Sequence, residues 1–175
     1  MDSRILILPM AALAASLPAR ATVYLSIEDA QKAMFGDQAM TAQPVTLDTD
    51  QRKAIEQASG VPVRASVVRA WRAADGGWFF VDAVIGKSEL ITYALGLHPD
   101  GRIKQVEVLE YRESHGGEIR YPAWRKQFVG RKASDDIRVG DDIQGISGAT
   151  LSCEHVTDGI RRLLATHAAV LKAAG

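Results

Sequence analysis

The spacing of apolar and polar positions changes near Arg64. Downstream of it, residues 65–73, 78–85, 89–97 and 102–111 are runs rich in Val, Ile, Tyr, Phe and Trp. Turn-forming clusters divide them at Asp75-Gly76-Gly77, Gly86-Lys87-Ser88 and Pro99-Asp100-Gly101, each short enough for a hairpin. Val106 and Val108 alternate with polar neighbours, the pattern of a strand with one buried face. Together these runs predict an antiparallel meander of about four strands.

Helical signals lie on both sides of the meander. Upstream, Ser26 with Asp29 resembles a capping box that opens a short helix, with Ala30, Ala33, Met34 and Phe35 as its apolar side and Gly36 as its stop. Asp48 or Thr49 caps a second helix through Ala54 and Ile55 that ends near Gly60. Downstream, the glycine-bearing loop Glu113–Glu118 leads to a short helix over 122–128, with Pro122 in its first turn. A second irregular loop runs from Asp135 to Gly148. From Leu151 to Ala174 the residues Val156, Ile160, Leu163, Leu164, Ala168 and Leu171 recur at helical spacing, with Arg161, Arg162 and Lys172 on the polar side. The expected fold is therefore α+β: an antiparallel sheet of about four strands, flanking helices and a long C-terminal helix. Residues 22–64 read as a helical segment packed on a domain over 65–175.

Composition narrows the options. The chain has 175 residues, of which 47% are hydrophobic and 24% charged, enough for one domain with a core of its own. Its 21 basic residues equal its 21 acidic ones, which argues against a nucleic-acid binder working through bulk positive charge. A single cysteine, Cys153, excludes an intrachain disulfide and any multi-cysteine metal cluster. His98, His155 and His167 have no carboxylate or cysteine at ligand spacing, so no metal site is expected. At the N-terminus, the uncharged apolar stretch 5–17 follows Arg4 and precedes Pro18 and Ala19-Arg20-Ala21. That order is the form of a signal peptide, residues 1–21, cleaved after Ala21 on export to a bacterial periplasm. A buried N-terminal helix is the alternative.

The chemistry concentrates at Gly145-Ile146-Ser147-Gly148-Ala149-Thr150, where a glycine loop enters the last helix. Backbone N–H groups at a helix start lack intrahelical acceptors, and the helix dipole favours an anion there. Gly148 lets the backbone approach a ligand closely, while Ser147 and Thr150 supply hydroxyls. On physical grounds alone this is either a phosphate cradle or an ordinary Ser/Thr helix cap.

Ser147-Gly148-Ala149-Thr150 followed by Leu151-Ser152 and an amphipathic helix resembles the FMN-binding domain of the Rnf/Nqr electron-transport subunits and their single-domain relatives. The likeness covers about residues 65–170. It implies an electron-transfer flavoprotein whose FMN is esterified through its phosphate to Thr150 by a flavin transferase that uses FAD as donor. It further implies that Ser147, Gly148, Ala149 and Leu151 surround the attachment point. Glu113-Ser114-His115-Gly116 occupies the place of the family's second element, an acid-hydroxyl-x-Gly loop, and so belongs to the cofactor site. Glu118 is a further candidate to contact the flavin. Tyr121, Trp124 and Phe128 are either cover for the ring or plain core. Redox partners in such a system are membrane- or haem-bearing proteins. Gln144 stands where the family usually has Asp, which leaves a noncovalent-FMN or flavin-free interaction module as the alternative.

Overall fold

The computed structural model describes residues 22–171, so the leader-like stretch lies outside the described residues. Four long strands form the meander at nearly the expected bounds: β4 Val67–Ala73, β5 Trp78–Ile85, β6 Leu90–Leu97 and β7 Ile103–Tyr111. Three short strands precede them, β1 Thr22–Val23, β2 Met40–Ala42 and β3 Val45–Thr46. The sheet runs β1-β7-β6-β5-β4-β2, with β3 also paired to β4, and these strands pair antiparallel throughout. The N-terminal segment is thus not purely helical. It closes both edges of the sheet, where exposed backbone would otherwise invite pairing with other chains.

Both upstream helices start as their caps dictate. In α1, Ile27–Phe35, the Ser26 hydroxyl accepts the Asp29 N–H at 3.0 Å. In α2, Thr49–Ser59, Asp48 rather than Thr49 is the cap. Its carboxylate accepts the Gln51 N–H at 2.8 Å, and the Gln51 side chain accepts the Asp48 N–H at 3.0 Å. This reciprocal pair satisfies two helix-start donors at once.

The two faces of the sheet bury different helices. Phe79, Val81, Ala94 and Leu109 meet Ala30, Met34 and Phe35 of α1. On the other face Phe80, Tyr93, Leu95, Val106 and Val108 meet α4, Thr150–Thr166, through Cys153, Val156, Ile160, Leu163 and Leu164. These α4 residues recur at the three- and four-residue steps that make one helical stripe. Each such aliphatic side chain contributes about 1.5–3 kcal/mol on burial, so α4 is firmly seated. Its last turn widens to a π-helical turn over His167–Leu171. The second helix, α2, leans on α4 through Ile55, with Leu47, Val63 and Ala165.

Between β7 and α4 the chain forms a 3-10 turn at Gly117–Arg120, the short helix α3 Pro122–Arg125 and another 3-10 turn at Lys126–Phe128. Trp124 and Phe128 are buried in the core while Tyr121 is half exposed, so the first two serve as packing. Ile137 and Ile143 pin the following loop into the same core.

Candidate functional site

The sequence motif ends in a tight turn. The Ala149 N–H donates to the Ile146 carbonyl at 3.0 Å, and Gly148 takes φ +81°, a conformation that disfavours any residue with a side chain. Ala149 then occupies the capping position of α4, and no side chain caps the helix. The first bond of the helix runs from the Cys153 N–H to the Ala149 carbonyl at 2.9 Å. The N–H groups of Thr150, Leu151 and Ser152 therefore have no acceptor inside the helix. An ordinary Ser/Thr cap is excluded, because the capping residue is alanine. What remains is a set of free donors at the positive end of a 17-residue helix.

Two other loops converge on this helix start. Gly116, at φ +86°, lies so close to Ala149 that a Cβ on it would stand 2.6 Å from the Ala149 Cβ and 2.8 Å from the Tyr111 hydroxyl. Tyr111 is the clamp between the motifs. Its hydroxyl bonds to the His115 carbonyl and lies 3.1 Å from the Ser152 hydroxyl. Burial pushes the Tyr111 phenol above its ordinary value, with the Glu113 and Glu118 charges acting in the same direction and the Ser152 bond opposing. It stays a neutral donor at physiological pH.

The second loop is the β5–β6 turn. A Cβ on Gly86 would come within 2.8 Å of a Glu113 carboxylate oxygen and 3.2 Å of the Ser152 hydroxyl, so the turn can approach the helix start only through glycine. Glu113 fastens it by accepting the N–H groups of Ser88 at 2.6 Å and Glu89 at 2.9 Å and the Ser88 hydroxyl at 3.3 Å. Burial alone would raise this carboxyl. The turn's N–H groups and the Ser88 hydroxyl outweigh it and hold Glu113 below the usual range. On the helix side, His155 Nδ1 donates to the Ile85 carbonyl at 2.6 Å and lies 3.0 Å from that of Gly86.

These elements enclose an open cleft of about 500 Å³, lined by Lys87, Ser88, Glu113, Ser114, His115, Gly148, Ala149, Thr150, Leu151 and Ser152. That is room for a cofactor-sized ligand. Of the sequence-derived site residues, Thr150, Gly148, Ala149, Leu151, Glu113, Ser114 and His115 line it. Ser147 is exposed outside the lining, and Gly116 sits behind the wall against Ala149. Glu118 is likewise exposed and outside the lining. Ser114 is engaged with His115 Nδ1 at 2.9 Å. Tyr111, Ser152 and the Gly86–Ser88 turn were not legible as site residues. The only signal for the turn was a glycine followed by a lysine and a hydroxyl at a hairpin tip. Cys153 is buried, and burial raises its thiol, which suits packing better than redox chemistry.

Residues 86–165 match the family model of the FMN-binding domain, and the match begins at the Gly86 turn and includes both motif loops. The match supports an FMN-binding domain over these residues, with FMN as the cofactor. A comparison with curated proteins finds no match. The site's chemistry suits the group. The free N–H donors and the hydroxyl of Thr150 meet the needs of a phosphate, and the cleft is large enough for the rest of the molecule.

Proposed function

We propose that this protein is an exported electron-transfer carrier whose FMN is esterified to Thr150. One observation carries the reading: an exposed threonine hydroxyl at the first position of a helix whose leading N–H groups have no acceptor, inside a cleft of cofactor size. A phosphate held there gains charge-assisted hydrogen bonds from the backbone. FMN supplies one- and two-electron chemistry and leaves the tuning of its potential to the protein around it. Thr150 provides the attachment oxygen, and Gly148 lets the backbone turn beneath it. Leu151, 42% exposed, offers an apolar surface at the mouth of the cleft. Tyr111 and Glu113 keep the three loops together by the bonds already described.

Attachment by ester keeps the cofactor from being lost by dilution, which suits a compartment with little free flavin. Export rests on the leader-like residues 1–21, and the maturation partner is a flavin transferase. Electrons then pass between this protein and membrane- or haem-bearing proteins. Among the described residues no helix is long and apolar enough to cross a membrane. The test is co-expression of the chain with a flavin transferase. A yellow protein that gives a fluorescent band under ultraviolet light after denaturing electrophoresis is the expected result. Yellow protein without the band refutes the ester, and colourless protein refutes flavin loading.

A further inference from the structure

A phosphate at the start of α4 needs more positive charge around it than the helix end supplies. Glu113 places a carboxylate in the wall of the same cleft, held ionised by the turn it fastens. A free FMN phosphate brings about −1.5 to −2 further charges at neutral pH, and the diester formed with Thr150 still keeps a negative charge. The half charge of a helix dipole does not offset both. Lys87 is the lining residue with a permanent positive charge. It is exposed, and its ammonium has no ion-pair partner among the described residues.

Its position is built rather than incidental. Gly86, the residue before it, packs against Ser152 two positions past Thr150, and His155 of α4 bonds the carbonyls of Ile85 and Gly86. Glu113 holds the two residues after it. The tip of the β5–β6 hairpin is thus tied to the first turns of α4 from both sides of Lys87. The lysine stem is flexible, and the base from which it reaches is fixed.

We propose that Lys87 is the phosphate-binding cation of this site, resting on the flavin reading above, and that it selects phosphorylated flavin over the unphosphorylated form. FMN and riboflavin differ only in the phosphate, so the ratio of their affinities isolates this contact from ring binding and from folding. The experiment titrates FMN and riboflavin into the full chain prepared without transferase, following quenching of flavin fluorescence. Wild type is expected to prefer FMN. Lys87→Met should cut that preference by about fivefold, the upper range for an exposed ion pair, with riboflavin affinity unchanged. Lys87→Arg should keep it, and added salt should shrink the preference in wild type more than in Lys87→Met.

A wild type without preference for FMN overturns the proposal. So does a Lys87→Met variant that keeps the preference, or one that loses both flavins equally. None of these outcomes touches covalent loading, which stands or falls on the co-expression experiment.

Discussion

The contact between Gly116 and Ala149 predicts a sharp local cost for Gly116→Ala. Gly116 adopts φ +86°, where a side chain costs about 1–2 kcal/mol from its own backbone. The new methyl would also stand 2.6 Å from the Ala149 Cβ and 2.8 Å from the Tyr111 hydroxyl, well inside contact distance. Overpacking of this kind costs about 1–3 kcal/mol. The expected total is about 2–5 kcal/mol against a typical domain stability of about 5–15 kcal/mol, so the variant is clearly weakened. Ala149→Gly removes one of the two clashing atoms. Alone it shifts stability by less than about 1 kcal/mol, because glycine is accepted at a helix cap. Combined with Gly116→Ala it should restore about 1 kcal/mol, a coupling within the usual range for residues in contact. Urea denaturation followed by tryptophan fluorescence measures all four proteins. A Gly116→Ala variant within about 0.5 kcal/mol of wild type, or strict additivity in the double variant, would refute the claim that the two motif loops meet here.

Two other substitutions probe the frame of the site. Gly159 lies in the middle of α4 where the Tyr93 hydroxyl occupies the space a Cβ would take. Gly159→Ala should therefore destabilise by about 1–3 kcal/mol, although alanine is the better helix former. A stabilised variant in thermal denaturation would contradict this. Glu113 titrates below its ordinary value in the folded protein, so its contribution is complete above the unfolded value near 4.3 and is lost as pH falls through the folded value. Glu113→Gln should then cost about 1 kcal/mol at neutral pH, with the gap to wild type closing toward pH 3. A gap that does not change with pH in urea titrations would contradict it.

The meander was readable because its strands are long runs of β-branched and aromatic residues divided by turn-forming clusters at 75–77, 86–88 and 99–101. Thr22–Val23, Met40–Ala42 and Val45–Thr46 were not, since two or three residues carry no period and their strand character comes from partners in β4 and β7. Helix starts were legible at Ser26 and Asp48, where the capping chemistry is local. The start of α4 was legible as a motif but left cap and cradle undecided, and the placement of Ala149 at the cap removes the first. The remainder of the site depends on contacts distant in sequence. Glu113 bonds residues 24 and 25 positions away, and Tyr111 reaches Ser152 across 41. Nothing in the local pattern of either residue announces such a partner.

The central claim is that Thr150 bears the flavin. The decisive measurement is intact-protein mass after co-expression with a flavin transferase, for wild type, Thr150→Ala and Ser152→Ala. Wild type and Ser152→Ala should gain the mass of one FMN less water. Thr150→Ala should gain nothing while remaining folded, because the exposed Thr150 hydroxyl caps nothing and such surface substitutions usually stay within about 0.5 kcal/mol. A Thr150→Ala protein that still carries the added mass would contradict the account.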